Sequence, residues 1–584
     1  MFYIKNTIKM SEVYESLNKI SNNEFENIQT STHPVEHYLD TTIAKNISLY
    51  KEKINDNNYI IEDKTRQERE IFIKYITLID FLKYLIGKYK DDDLNELPDI
   101  EKSEYSTKYS KYINHHNNYA FVDSFFYYLS GSVNEKHNFP HGITCYDSFI
   151  CHKTNCKINI ADDFEYLCDS QFFNENIDKL FSFEDPNIMD IFNEYKKEPL
   201  NICEDVDIGE DIPNIDSDII DLDLNIENKD EPIDAEEVEL NIGDDEISLR
   251  TTNNSSDESY ESTSDDQEEM QSEDGDNSDD DTDDSDDSEI EDDDSDETFV
   301  VDDECLDSES DDEDEDDDED DDEDDEDEDE LIIRFNKMPI QVVAIEKCKD
   351  TLDSLLSKED ITVQEIESCI FQVVVILYVY QNKFKFTHND LHTNNIMFIE
   401  TDKEFIYYNV MDKIYKIPTY GKIFKIIDFG RAIYEYNGKM LCSDSFSPNG
   451  TGYSQYNFEP YYNNKKPVIR PNFSFDLCRL ACSMFDFICD DVRKINEYRE
   501  KVPVYDLIFS WLYDDNNRNI LYKSNGEDKY PGFKLYKMIT RLVHNHTPSA
   551  QFSHKCFEKY IIDSTNVNEN DSLHIVQIDE LIKN

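Results

Sequence analysis

The sequence predicts an α+β protein of two lobes or domains, with a long disordered acidic insertion inside a folded unit. Three observations carry this reading. β-Branched runs stand on both sides of an acidic tract, at Glu70 to Ile76 and at Pro339 to Ile345. A long apolar helical stretch, three strand-like runs and a second helical region follow the tract, so strands and helices both stand on its C-terminal side. The tract itself concentrates nearly all of the net charge.

Taken in order, Glu70-Ile-Phe-Ile-Lys-Tyr-Ile76 reads as a short strand. Asn118 to Leu129 suits a buried strand or helix, and its length selects helix. Pro339 to Ile345 is a strand, Asp350 to Leu356 a short helix, and Val363 to Gln381 a long helix with a wide apolar face. Ile396 to Ile399, Phe405 to Asn409 and Phe424 to Ile427 are strand-like runs separated by charged or Gly-containing breaks. A helical region opens near Phe475.

The chain has 584 residues, 135 of them acidic and 55 basic, a formal net charge of −80. Glu204 to Glu330 holds 68 of the acids and only Lys229 and Arg250 as bases, ending in twenty unbroken acids from Asp311. Such a stretch has too little apolar surface to offset chain entropy and is expected to be disordered. The rest is mildly acidic, which disfavours direct nucleic-acid binding through a cationic surface. It also exceeds one usual domain of about 100 to 200 residues. The N-terminus lacks a signal-like apolar region, and the longest apolar run, Ile370 to Tyr380, is shorter than the roughly 20 residues that span a bilayer. Thirteen scattered cysteines fit a reducing compartment. These features predict a soluble, unsecreted protein with no membrane contact.

The residues that carry chemistry are Thr387-His388-Asn389-Asp390-Leu391-His392-Thr393-Asn394-Asn395, followed 38 residues after Asp390 by Asp428-Phe429-Gly430. This is H-x-D-L-x-x-x-N and then D-F-G. Phosphoryl transfer needs one group to accept a hydroxyl proton and two side chains to hold a metal on the phosphates. An Asp in a tight loop, an Asn five residues on and an Asp at the end of a strand form such a set. Chance alone would produce the pair in about one such chain in a thousand.

On these motifs the sequence resembles the eukaryotic-type protein kinase superfamily, and within it the divergent kinase-like proteins of giant DNA viruses. The resemblance covers about 330 to 560, and more faintly about 65 to 170. It implies a two-lobed protein-kinase-like fold that uses ATP and Mg²⁺ to phosphorylate a protein substrate, with Ser/Thr the favoured acceptor. Carried over by position, Asp390 is the catalytic base, His388 supports the D-F-G segment, and Asn395 and Asp428 are Mg²⁺ ligands. Lys74 is the phosphate-anchoring lysine, with Lys45 as a rival, and Asp123 is its acidic helix partner. Glu346-Lys347-Cys348 is the hinge whose backbone meets the adenine. Phe458-Glu459-Pro460 is similar to the end of an activation segment, and Asp476 to the acid that opens the central helix.

The implied domains are an N-terminal extension (1–62), the first part of the small lobe (63–203), the acidic insertion (204–330), the last small-lobe strand and hinge (331–348), the helical large lobe (349–562) and a tail (563–584). The resemblance also implies an intracellular, cytoplasmic protein, and a viral origin would place it in infected-cell cytoplasm or in virions. Three departures qualify the resemblance. No Gly precedes Gly87, so a Gly-rich phosphate loop is absent or rebuilt. Asn389 replaces an Arg and His392 a Lys, and the resulting H-x-D-L-H-x-x-N resembles haspin-like protein kinases and also aminoglycoside-phosphotransferase-like and ABC1-like kinases. Two alternatives therefore stand beside the protein kinase: a pseudokinase scaffold that binds basic proteins through its acidic tract, and a small-molecule kinase. Cys151-His152 with Cys156 is a weaker candidate for zinc.

Overall fold

The computed structural model describes residues 9–29, 33–89, 94–102, 105, 107–185, 331–489, 491–523, 525–563 and 575–583. The acidic tract, 204–330, lies outside the described residues. The described residues form a mixed α/β protein in one compact unit.

Helix α1 (Met10–Ile20) precedes a seven-stranded sheet. Its strands are β1 (Phe25–Gln29), β2 (Ile47–Lys53), β3 (Asn58–Asp63), β4 (Glu68–Thr77), β5 (Cys145–Asn159), β6 (Phe181–Phe183) and β7 (Ile332–Glu346). The order is β1-β5-β7-β4-β3-β2, with β6 also paired to β7. β7 lies between β4 and β5, which explains why Met338 to Ile345 is buried without interruption. A proline in a central strand is normally excluded, but the Pro339 carbonyl accepts the Leu78 N–H, so its ring nitrogen faces the side on which β4 ends.

The described residues of 9–62 are not an extension outside the sheet, since β1, β2 and most of β3 belong to it. The signal of β2 was obscured because it shifts register against β3 twice, between Ile47 and Leu49 and between Tyr50 and Glu52. Such irregularities break the period-2 alternation that marks a strand.

Helix α2 (Tyr119–His137) packs against β5 and β7. It runs eight residues past the sequence expectation, through Ser130-Gly131-Ser132. Gly131 is needed there for close approach, because a Cβ would lie 2.7 Å from the Ile143 carbonyl oxygen.

The chain flanking the acidic tract closes as a pair of neighbouring strands: Phe183 pairs with Ile333, and the Glu184 N–H donates to the Ile332 carbonyl at 2.9 Å. Loop-closure entropy grows slowly with length. Deleting Glu204 to Glu330 is thus expected to leave the thermal melting midpoint almost unchanged, as read by differential scanning calorimetry. A fall of many degrees would mean that the tract supports the sheet.

Beyond β7 come β8 (Asp350–Thr351), α3 (Leu352–Ser357) and α4 (Val363–Phe384). Helix α4 begins with a capping box in which the Thr362 side chain takes the Glu365 N–H and Glu365 reaches back to Thr362. By length and composition α4 could cross a membrane, longer than the apolar run in the sequence suggested, but it is mostly buried in the protein core. Strands β9 (Ile396–Glu400), β10 (Phe405–Val410), β11 (Lys413–Pro418) and β12 (Lys422–Ile426) follow, then the hairpin β13 (Ile433–Tyr436) and β14 (Lys439–Cys442). β12 and β9 pair antiparallel with Ile426 opposite Ile396, which brings the two motif loops to the same end of one strand pair.

Helices α5 (Phe475–Ile488) and α6 (Phe533–Leu542) complete the helical side. β15 (Ile561–Ile562) pairs with β11, and β16 (Val576–Gln577) runs parallel to β10. Part of the expected tail, 563–584, is thus packed against the protein, and two-residue strands are too short to leave a periodic signal.

Candidate functional site

The loop between α4 and β9 is held by Asp476, at the first turn of α5 and fully buried. Its Oδ2 accepts the His388 N–H and its Oδ1 the Asn389 N–H, each at 2.9 Å. Asn389 adopts a left-handed conformation, φ 67°, which Asn tolerates better than most residues. Its amide donates to the Arg431 carbonyl (2.8 Å) and its Oδ1 accepts from the Tyr456 hydroxyl (2.6 Å). Asn389, where the resemblance expects Arg, is therefore a buried brace between this loop and the segment after Gly430.

His388 joins the two loops. Its Nε2 lies 2.8 Å from the Ile427 carbonyl oxygen, and its Nδ1 accepts the Asp390 N–H at 3.3 Å, an arrangement that places the ring proton on Nε2. Asn395 closes the turn by donating Nδ2–H to the Asp390 carbonyl (2.9 Å), with His392 Nε2 at 3.0 Å. That use of the amide nitrogen leaves Oδ1 as the donor atom offered to a cation. Burial holds the His392 imidazole below its ordinary range, so it stays neutral at physiological pH.

At the second loop, Asp428 has φ 57°, and its N–H donates to the Tyr127 hydroxyl (3.0 Å). Phe429 is buried, with ring centroids 4.6 Å from Phe126 and 4.9 Å from Tyr127, and its N–H donates to Asp123 Oδ1 (2.6 Å). Asp123, on α2, has its other oxygen 2.9 Å from Lys74 Nζ, and the same ammonium lies 2.9 Å from Asp428 Oδ1. One cation from β4 thus joins a helix carboxylate to the loop carboxylate.

Electrostatics divide the two acids. Burial pushes Asp123 up to about 6, with Lys74 pulling it back and Asp428 adding to the rise. For Asp428 burial is outweighed by Lys74, and the carboxyl is held below its usual value. Burial would lower Lys74, but Asp123 and Asp428 outweigh it and hold the ammonium charged. The Asp428 side chain is 50% exposed, so it can meet a ligand while bound to Lys74. Lys45, the rival, lies elsewhere: it is 2.8 Å from Asp147 Oδ1 and donates to the Ser148 carbonyl at 2.6 Å.

Glu346 ends β7, and its N–H donates to the Thr144 carbonyl (2.9 Å). Its carboxylate is 2.7 Å from Lys425 Nζ, a fully buried ammonium that also donates to the Gly142 and Pro140 carbonyls. The Glu346 side chain therefore braces β7 against β12. Cys348 is partly exposed, and burial pushes its thiol up to about 12, which keeps it protonated and unreactive.

The connection between β2 and β3, Ile54 to Asn57, is a tight turn without glycine. Asn55 Oδ1 accepts the N–H groups of Asn57 and Asn58, and Asn57 Nδ2 donates to the Ile73 carbonyl beside Lys74. Among the described residues no three metal-type side chains cluster, so Cys151, His152 and Cys156 do not form a zinc site. Cys151 and Cys156 are buried in β5, and His152 Nδ1 lies 3.1 Å from the Asn27 amide.

Four contributors escaped the sequence reading. Tyr127 follows Asp123 by four residues on one helix face, a spacing that could have marked it. Lys425, Arg479 and Tyr536 had no local signal. Tyr536 comes from 146 residues away to donate its hydroxyl to Asp390 Oδ1 at 2.9 Å, while Arg479 Nε donates to Tyr536 Oη at 2.9 Å.

Asp444, after β14, accepts the Tyr119 N–H at the start of α2 (3.0 Å). Burial pushes it up to about 7, with that N–H, Tyr112 and Lys83 pulling it back. The folded value exceeds the unfolded value of about 4. Its contribution to stability is therefore fully present below about pH 4 and is lost as pH rises through 7. Asp444→Asn is expected to flatten the dependence of melting temperature on pH over that window, with the variant gaining on the wild type at pH 8. Parallel curves for the two proteins would refute this.

No family model matches the chain. It is 36% identical over 61 residues to the uncharacterized protein ZK177.2 of Caenorhabditis elegans, an overlap of 10% of this chain and 21% of that protein. It is 28% identical over 121 residues to serine/threonine-protein kinase haspin of Mus musculus, covering 20% of this chain and 15% of that protein. The chain spans only about a fifth or less of either relative, and the similarity to haspin indicates a kinase-like relationship confined to that share.

Proposed function

We propose that the protein transfers the γ-phosphoryl group of ATP to a protein hydroxyl, within a two-lobed kinase-like fold. The seven-stranded sheet is its small lobe, the helical side its large lobe, and Glu346 to Cys348 the hinge between them. The observation that carries the reading is Lys74 Nζ held 2.9 Å from both Asp123 and Asp428, beside the bonded loop that presents Asp390 and Asn395.

The donor set fits the expected chemistry. The Asp428 carboxylate and the Asn395 amide oxygen are hard oxygen donors that would hold Mg²⁺. When bound, Mg²⁺ neutralises charge on the phosphates. Lys74 anchors phosphate oxygens as a fixed point charge. Asp390 accepts the proton of the acceptor hydroxyl, and its carboxylate already takes a hydroxyl hydrogen bond from Tyr536. His388 positions both loops and touches neither reactant. Serine or threonine of a protein is the favoured acceptor, and basic proteins are the partners that the acidic tract would concentrate.

The test is transfer of labelled γ-phosphate from Mg·ATP to a mixture of basic and acidic proteins. Label on a protein hydroxyl supports the reading; label only on added sugars or antibiotics would move it to a small-molecule kinase. The glycine-free turn from Ile54 to Asn57 favours one competitor, a scaffold that does not turn over. Folded protein that binds basic proteins and labels nothing would establish that competitor instead.

A further inference from the structure

We infer that Tyr536 is an internal phosphoacceptor, with Arg431 and Arg479 placed to receive the phosphate it acquires. The inference rests on the phosphotransfer reading above. Helix α6 starts after Gly532, whose φ of +55° turns the chain, and its first turns carry Tyr536 onto the catalytic loop. The Tyr536 hydroxyl donates to Asp390 Oδ1 at 2.9 Å, the hydrogen bond that an acceptor must make with its base before transfer. Burial holds the phenol above its ordinary value, so it meets Asp390 as an O–H that needs a base and not as a phenolate.

The second observation is independent of that bond. The Arg431 and Arg479 guanidinium groups each lie 5.2 Å from the centroid of the Tyr536 ring, and Arg479 Nε already donates to its oxygen. Arg431 Nε and Nη2 are buried and find no hydrogen-bond partner among the described residues. Buried donors without acceptors are costly and call for an explanation. An inert tyrosine plug in the acceptor position would explain the bond to Asp390 but leave those two donors idle. A phosphate on Tyr536, carrying about −1.5 to −2 charge, is repelled by Asp390 and matched by two guanidinium forks.

The step balances without a further reactant. The phenolic proton passes to the Asp390 carboxylate as the bond from Oη to the γ-phosphorus forms. The bond from that phosphorus to the β,γ-bridging oxygen breaks, and its electron pair leaves on the nucleoside diphosphate.

The experiment uses the full chain with Mg·ATP at several protein concentrations, peptide mass spectrometry to map the label, and melting curves before and after labelling. Phosphate is expected on Tyr536 at a first-order rate independent of dilution. The labelled protein is expected to melt higher than the unlabelled one, a gain that Arg431→Met removes. Tyr536→Phe, which keeps the ring, should lose this label. Transfer to added proteins with Tyr536 unmodified would overturn the inference and leave the kinase reading standing. Folded protein that transfers phosphate nowhere would overturn both. Label on Tyr536 with no gain in melting temperature would overturn the role given to the two arginines.

Discussion

Asp390→Asn is expected to lower the rate of phosphoryl transfer roughly 10²- to 10⁴-fold, the usual contribution of a positioned general base. The substitution keeps the side chain's size and an oxygen for the Tyr536 hydroxyl. The bonds that hold the loop do not pass through the Asp390 carboxylate: Asn395 bonds its backbone carbonyl, and Asp476 bonds the N–H groups of His388 and Asn389. The variant should therefore melt as the wild type does and bind Mg·ATP equally well. Initial rates with labelled ATP, set beside an equilibrium measurement of nucleotide affinity, separate the two effects. Equal rates in variant and wild type would remove Asp390 from the chemistry.

Asp476→Ala is expected to be the most damaging single change to the fold around the site. It strips two buried N–H groups of a charged acceptor, and hydrogen bonds to charged groups contribute about 1.5–3 kcal/mol each. A local loss of about 3 kcal/mol or more follows. It falls on a turn whose Asn389 already has a left-handed backbone. Transfer should vanish with it, although Asp390, Asn395 and Asp428 are untouched. Global melting understates such a change in a protein of this size, because stability is not uniform across a structure. Hydrogen exchange at the His388 and Asn389 amides reads it directly, and fast exchange in the variant is the expected result. Asp476→Asn, which keeps one acceptor oxygen, should lie in between. Slow exchange in both variants would show that the loop does not depend on Asp476.

Much of the fold was readable because apolar periodicity survives wherever one face of an element meets the core. β4, β7, α4 and the β9–β12 pair all announced themselves in this way. β2 did not, since register shifts interrupt its alternation, and neither did the short strands near the C-terminus. The extra turns of α2 were hidden by Ser130-Gly131-Ser132, a run that reads as a breaker and here lets two backbones approach. Within the candidate site, Asp390, Asn395 and Asp428 could be picked out as candidates because they stand at fixed spacings along two tight loops. The choice between Lys74 and Lys45 was not legible. Both end apolar runs, and only the sheet shows that Lys74 faces Asp123 and Asp428 while Lys45 is taken by Asp147.

The division has a physical cause. Short-range constraints write themselves into sequence as spacing and periodicity, so the sequence alone determined strands β4, β7, β9, β10 and β12, helices α2 and α4, the two motif loops and the charge segregation of the acidic tract. Long-range constraints leave no local trace. Only the tertiary structure brought Lys74, Asp123 and Asp428 onto one ion-pair network and Asp476 under the backbone of the loop between α4 and β9. It also fixed Lys425 behind Glu346 and laid the Tyr536 hydroxyl against Asp390. Each of these contacts joins residues tens to hundreds of positions apart. Their geometry is set by how the sheet and the helices pack, which no single stretch of the chain encodes.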